Sequence, residues 1–170
     1  KYQFFDIGKK HNYFDNYANR SELEDLAEHC YLPANALLLE LIKKYEGKFK
    51  VAFSITGSAI DQLEMHTPEV IRSFQELAAT GCVEFLAETY SHSLASLSED
   101  TDEFEQQVKR HSNAIKQLFG KKPVTFRNTS LIYSDKIGER VAKLGFKTML
   151  TDGAKHVLGW KSPNFVYKNA

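Results

Sequence analysis

A chain of 170 residues, 42% hydrophobic and 12% aromatic, can bury one sizeable core and is too apolar to be disordered. Its 22 basic and 22 acidic residues give a formal net charge of zero, which argues against partners such as nucleic acid or an anionic membrane. No stretch approaches the ~20 apolar residues of a transmembrane helix, and an uncharged ligand suits this balance.

Segments with helical periodicity and segments with strand-like alternation follow one another along the sequence. Ser21 and Glu24 form a capping-box pattern that predicts the start of a first helix, and Pro33 predicts the start of a second. The further predicted segments are a strand over 49–55, helices over 59–65 and 68–79, a strand over 82–87, a helix over 102–119, a strand over 124–126, a helix over 134–144, a strand over 146–151 and a strand-like end over 165–167.

This alternation predicts parallel strands joined by right-handed crossovers, in an α/β barrel or a doubly wound sheet. No Gly-x-Gly-x-x-Gly or P-loop pattern follows a strand, which favours a closed or distorted barrel over a nucleotide-binding sheet. About five strands are predicted, fewer than the eight of a complete standard barrel, so we expect a fragment of a longer polypeptide.

Three predicted strands end in polar residues. They are followed by Glu88, Tyr90 and His92, by the run from Arg127 to Ser130, and by the run from Thr151 to Gly153. Because the carboxyl ends of parallel strands meet at one edge, we expect these side chains to form one rim. Taken alone, the segment that carries Glu88, Tyr90 and His92 fits a strand entering a polar turn equally well.

Two other groups of residues are given structural roles. In the helix over 102–119, apolar side chains are expected inward, while His29, His66 and His111 are expected on the surface. The aromatic stretch over 2–17, which includes Asp6, His11 and Asp15, is expected to pack and to contact the rim, with a sugar platform or a metal cluster as alternatives.

Three segments resemble the signature regions of glycoside hydrolase family 57. The run from Gly81 to His92 resembles the second signature, and the run from Phe126 to Tyr133 resembles the third. The run from Thr151 to Trp160 resembles the segment that follows in α-amylase-type members. The resemblance covers essentially the whole chain.

The resemblance implies both a fold and an activity. The fold would be an incomplete or distorted (β/α)7 barrel with parallel strands, of which residues 1–170 would be a single-domain fragment that covers most of the barrel. The activity would be retaining hydrolysis of an α-glucan or maltooligosaccharide in the cytoplasm, without a metal or other cofactor. Retention requires two carboxyl groups about 5 to 5.5 Å apart.

The family pattern places its nucleophilic glutamate where this chain has Ser130. A serine hydroxyl is neutral at pH 7, is shorter than a glutamate and has no partner base here to activate it. The first signature, a His-Gln-Pro triplet, is expected just before Lys1, and the acid/base aspartate is expected beyond Ala170. Three explanations stay open, in this order: a naturally inactive relative, an engineered knock-out, or recruitment of another carboxylate such as Glu88.

The resemblance also implies contacts with the glucan at the other rim positions. These residues are Glu88, Tyr90, His92, Arg127, Asn128, Asp152 and Trp160. For Arg127 and Asn128, orienting neighbouring carboxylates is an equal alternative. For Trp160, burial against the barrel competes with stacking on a sugar face.

Three functions therefore compete. The first is an α-glucan-active glycosidase or glucanotransferase with a weak or disabled site. The second is a non-catalytic glucan-binding or regulatory module. The third is a metal-dependent polysaccharide deacetylase, although the sequence offers no Asp-Asp or His-x-x-x-His ligand pair at a strand end.

Overall fold

The computed structural model describes residues 15–100 and 102–168. Within them lie seven α-helices and four short strands. The helices are α1 (Asn16–Leu26), α2 (Leu32–Lys44), α3 (Gly57–His66), α4 (Pro68–Ala79), α5 (Asp102–Phe119), α6 (Asp135–Lys143) and α7 (Lys155–Leu158), and the strands are β1 (Val51–Phe53), β2 (Val83–Phe85), β3 (Thr125–Arg127) and β4 (Thr148–Leu150). In this part of the chain, no helix is both long and apolar enough to cross a membrane.

The first two helices form one continuous rod, with a single wider helical turn where they join. The capping box predicted at Ser21 is wrong, because α1 begins earlier, where the side chain of Asp15 accepts a hydrogen bond from the Ala18 N–H at 3.0 Å. A π-helical turn, Ala27–Tyr31, joins α1 to α2. Pro33 follows in the first turn of α2, where a proline's missing N–H is tolerated.

The four strands are parallel, as predicted, and lie in sequence order. β1 pairs with β2 and β3 pairs with β4, while a single bridge between Ala87 and Phe126 joins the two pairs. Consecutive parallel strands with helices between them are the arrangement of a barrel segment. The strand predicted over 165–167 is wrong: Val166 is 97% exposed, and no strand lies beside it to supply hydrogen-bond partners among the described residues.

The core consists of two apolar clusters that α5 connects. One cluster packs around β1 and β2, and it includes Ile115 and Phe119 of α5. The other packs around β3 and β4, and it includes Phe104 and Val108 of α5. His111, fully buried, lies on α5 between the residues of the two clusters.

Alternation along β2 positions the candidate site. Val83, Phe85 and Ala87 belong to the apolar clusters. Because successive side chains of a strand point to opposite faces, Glu84 and Glu88 point to the other face, which is the inner face of a barrel. Glu88 therefore stands at the inner edge of the strand's carboxyl end.

Candidate functional site

The carboxylate of Glu88 is the centre of the rim. Its side chain is 1% exposed, and Ser54 donates a hydrogen bond to its Oε1 at 2.6 Å. On the other oxygen, Oε2, Nδ1 of His92 lies at 3.2 Å and Nη1 of Arg127 at 3.9 Å. Hydrogen bonds from Ser54 and His92 and the positive charge of Arg127 thus converge on one buried carboxylate from the ends of β1, β2 and β3, which fixes its position.

His111 holds the main chain of Glu88 from below. Its Nδ1 accepts a hydrogen bond from the Glu88 N–H at 3.4 Å, so its Nε2 must carry the proton that is donated to the Ile55 carbonyl at 2.8 Å. Burial lowers the pKa of His111, against the opposite effects of the Ile55 carbonyl and the Glu88 charge. The ring is therefore neutral at pH 7.

The expectation that His111 lies on the surface is wrong. The periodicity of α5 contained the signal, because His111 follows Val108 by three residues and precedes Ile115 by four, which is the spacing of one helix face. A polar residue on that face needs specific partners, and the two strand ends supply them. Ser54 was likewise not predicted, although it directly follows β1.

His92 occupies a left-handed backbone conformation, with φ of 53°. Its N–H donates to the Thr89 carbonyl at 3.1 Å, which closes a tight turn after β2. A non-glycine residue in this region costs about 1 kcal/mol or more, so the surrounding contacts must determine it. The turn brings the ring back onto Glu88, four residues earlier, and leaves 43% of the side chain exposed.

Ser130 is exposed on the short turn that follows β3. This turn, Thr129–Leu131, is a 3-10 segment in which Ser130 has φ of 54° and Leu131 has φ of 55°. Asn128 anchors it from the interior: it is fully buried, and its Nδ2 donates to the Ser96 hydroxyl and the Ile132 carbonyl, both at 2.9 Å. The amide of Asn128 thus stabilises the turn that presents Ser130.

Two hydrogen bonds tie this turn to its neighbours. The hydroxyls of Thr89 and Thr129 lie 3.1 Å apart and link the loops after β2 and β3. The Asp152 N–H donates to the Leu131 carbonyl at 2.9 Å and links the loop after β4. The three polar strand ends predicted to meet at one rim are therefore adjacent in space.

Tyr90 is directed into the protein. Its hydroxyl donates to Asp61 at 2.6 Å, the Arg110 guanidinium lies 3.7 Å from the ring centroid, and the ring is close enough to Gly57 to leave no room for a Cβ there. Burial and, next, the bond to Asp61 raise the pKa of the phenol. This position suits a residue that shapes the rim, and the predicted contact with a glucan stays a prediction.

Trp160, unlike Tyr90, is exposed to solvent. It follows α7 and is 93% exposed, so it is not buried against the barrel in the described part of the chain. Asp152 is also exposed at the end of β4, with its main chain tied to the Ser130 turn. The structure thus brings His92 to 3.2 Å and Arg127 to 3.9 Å from the Glu88 carboxylate, and it presents Trp160 separately.

The described residues contain no group of three His, Cys, Asp or Glu side chains arranged to hold a metal ion. Most of the aromatic stretch over 2–17, including Asp6 and His11, lies outside the described residues. Asp15 caps α1, and Tyr17 is exposed.

A cavity of about 250 Å³ lies near the start of β2. Phe85, Phe119, Glu84 and two lysines contribute to its lining. Within residues 15–100 and 102–168, the buried Oε1 of Glu84 has no hydrogen-bond partner. This cavity is separate from the rim, because its lining includes none of the loop residues that carry Glu88, His92 or Ser130.

Comparison with known proteins identifies the family. The family model described as Glycosyl hydrolase family 57 matches residues 2–170. The chain belongs to glycosyl hydrolase family 57. This membership confirms the resemblance seen in the sequence, while the part assigned to each rim residue stays a prediction.

A relative from Methanocaldococcus jannaschii, provisionally named an alpha-amylase, is 43% identical over 157 residues. That alignment covers 92% of this chain and 33% of the relative, so the chain spans about a third of the relative's length.

Two crystal structures show the same fold. One is a 4-alpha-glucanotransferase from Thermococcus litoralis, with a TM-score of 0.67 and 14% identity over 78% of this chain and 20% of that one. The other is the alpha-amylase AmyC from Thermotoga maritima, with a TM-score of 0.64 and 14% identity over 91% of this chain and 39% of that one. At this identity the likeness concerns the fold alone, and it confirms the predicted incomplete α/β barrel.

Proposed function

We propose that this chain forms the α-glucan-binding wall of a family 57 site in which Ser130 occupies the position of the nucleophile. The observation that carries the proposal is the Glu88 carboxylate, which is held by Ser54, His92 and Arg127 beside the loop that presents Ser130. A pre-positioned network of charged and neutral donors at strand ends suits a ligand made of hydroxyl groups. The named activity of the relatives supports an α-glucan as that ligand.

Ser130 makes this site weak or inactive in glycosyl transfer. Its hydroxyl is exposed on the rim and stands on a turn fixed by Asn128, so the position is well defined. A neutral hydroxyl of this length cannot replace a carboxylate that attacks the anomeric carbon. Recruitment of Glu88 as a substitute is disfavoured, because its carboxylate is 1% exposed and both oxygens are engaged.

The deciding experiment uses the full-length protein and soluble starch or maltooligosaccharides. Ser130→Glu is expected to create or raise hydrolysis, because it restores a carboxylate in the family's place, whereas the equally long Ser130→Gln is not. The new product should retain the anomeric configuration, which NMR of the released sugar reports. A wild type that turns over rapidly and is unaffected by Ser130→Ala contradicts the assignment of this position.

A second candidate is a non-catalytic glucan-binding or regulatory protein, and the serine at position 130 favours it. Calorimetric titration of the full-length protein with maltooligosaccharides separates the two. Tight binding without turnover, and no gain from Ser130→Glu, supports the binding protein. Family membership favours both of these candidates over a deacetylase.

Two further expectations, on domain organisation and on location in the cell, belong to the same proposal. Residues 1–170 are expected to form one domain fragment, which limited proteolysis of the full-length protein tests by the position of the first cuts. The cytoplasmic location also stays a prediction, and fractionation of the source cells tests it.

A further inference from the structure

We propose that His92 is the proton acceptor of this rim, a role beyond the glucan contact assigned to it above. Glu88 fixes its proton on Nδ1, and the lone pair of Nε2 is left to take a proton from a hydroxyl group. The hydroxyl belongs to a bound sugar or to water.

The tautomer follows from the chemistry of the two partners. An ionised carboxylate only accepts hydrogen bonds, so the contact of 3.2 Å between His92 Nδ1 and Glu88 Oε2 requires a proton on Nδ1. The other neighbours of Glu88 are also a donor and a positive charge, since Ser54 donates to Oε1 and the Arg127 cation lies 3.9 Å from Oε2. A neutral imidazole that donates through Nδ1 has a free acceptor at Nε2.

The site has the features that make such a pair useful. The carboxylate is 1% exposed whereas 43% of the histidine side chain is exposed, so the anion is inside and the imidazole is at the surface. A hydroxyl group bound here donates its O–H to the Nε2 lone pair; the O–H bond breaks and a bond from Nε2 to hydrogen forms only as the oxygen's electron pair bonds to an electrophilic carbon, which releases its leaving group. The buried anion then stabilises the imidazolium, as in other carboxylate–histidine pairs.

The left-handed backbone of His92 is the second, independent observation. A turn with φ of 53° is unfavourable for histidine, yet it returns the ring onto Glu88. The chain also contains a contrasting pair: His29 contacts the Asp25 carboxylate through Nδ1 at the same 3.2 Å, but it lies in the π-helical turn, its Nδ1 also bonds the Asp25 main-chain carbonyl at 3.1 Å, and 73% of the Asp25 side chain is exposed.

The first test is NMR of the full-length protein with 15N-labelled histidine, at a pH where imidazole is neutral. The His92 signals, assigned by their loss in His92→Asn, are expected to show the proton on Nδ1 and none on Nε2. A proton on Nε2 of His92 overturns the proposal. This measurement needs no folded Glu88 variant and no bound glucan, so it does not depend on the proposed function.

The second test is acylation with diethyl pyrocarbonate, mapped by mass spectrometry, because this reagent attacks the free lone pair of a neutral imidazole. His92 is expected to react, and His111, buried with both nitrogens engaged, is not. Glu88→Gln should slow the reaction of His92 several-fold, whereas the matched Asp25→Asn should leave His29 unchanged. Equal small effects of both variants overturn the proposal.

A third arm distinguishes the two sources of the hydroxyl. Protection of His92 by saturating maltoheptaose indicates a sugar hydroxyl as the donor, and unchanged reactivity with bound sugar indicates water. The calorimetric titration shows separately whether the sugar binds, so a failure of the glucan proposal is not mistaken for a failure of this one.

Discussion

The main-chain N–H of Glu88 donates to Nδ1 of His111 at 3.4 Å, so a residue in the middle of α5 positions the end of β2. The opposite edge of the same ring binds the Ile55 carbonyl beyond β1. One imidazole therefore connects two loops where the pairing of their strands has ended. The effect of His111 on the rim can be separated from its effect on stability.

Replacement of His111 by leucine is expected to destabilise the protein by about 2–4 kcal/mol, because it leaves the buried Glu88 N–H and Ile55 carbonyl without partners. His111→Gln, which offers one acceptor and one donor, should recover part of this loss and part of the maltooligosaccharide affinity. Urea denaturation and calorimetric titration are the measurements. Equal losses in both variants would contradict a positioning role.

The pH dependence of the free energy of unfolding should include a contribution from His111. Burial lowers the pKa of His111 below 6.5, so below that pH the unfolded chain takes up a proton that the folded chain does not. The free energy of unfolding should therefore fall as the pH drops from about 6.5 towards the folded pKa, and level off below it. Urea denaturation at several pH values compares the wild type with His111→Gln, and the variant should lack this part of the decline. A variant with the same profile as the wild type would assign the decline to other groups.

Gly57→Ala should be destabilising by about 1–3 kcal/mol, because an ideal Cβ would lie 2.3 Å from the Tyr90 ring. Asp61 and Arg110 hold that ring, which therefore cannot move aside. A double-mutant cycle with Tyr90→Ala tests the cause: once the ring is gone, Gly57→Ala should have little further effect. Additive losses would show that the clash is not with Tyr90.

Replacement by valine should change the stability of the protein differently at two threonines that precede helices. Thr56 caps α3 by accepting from the Ala59 N–H at 3.1 Å, so Thr56→Val should lose about 0.5–2 kcal/mol. Thr67 precedes α4, but its hydroxyl is buried with no hydrogen-bond partner within the described part of the chain. Thr67→Val should therefore be neutral or stabilising. Thermal denaturation decides, and a similar loss in both variants would refute the distinction.

Asn128→Asp should loosen the turn that presents Ser130. The change keeps the shape of the side chain, but it removes both N–H donors and places a charge at a fully buried position. Hydrogen exchange at the Leu131 and Ile132 amides, which close this turn, should become faster. Protection that stays unchanged while global stability falls would show that Asn128 supports the core instead of the turn.

The sequence predicted the regular elements where local rules were strong. The helix over 68–79 agrees with α4 because a proline starts it and its apolar face is continuous, and the helix over 102–119 agrees with α5 for the second of these reasons. Three strands are shorter than predicted, and β3 keeps its predicted length but lies one residue later, since pairing with a neighbour, not residue type, decides where a strand ends. The same reason accounts for the segment over 165–167, whose residues alternate like a strand yet form none.

The rim was predicted in outline and not in its contacts. Glu88, His92 and Arg127 were found because polar residues follow buried strands, and family membership supports that reading. The roles of Ser54 and His111 depend on which elements meet in space, and one sequence does not contain that information for a residue in the middle of a helix. Tyr90 was predicted as a contact of the rim, yet its side chain is directed into the protein. This orientation depends on Gly57 and Asp61, which are about thirty positions away.

The two pairs of strands meet through Ala87, whose N–H donates to the Thr125 carbonyl at 2.9 Å and whose carbonyl accepts from the Arg127 N–H at 2.8 Å. Glu88 and Arg127 stand immediately beside this junction, one on each side. The 3.9 Å contact between their charges therefore adds a side-chain link between the two strand pairs at the rim, next to the two main-chain hydrogen bonds of Ala87.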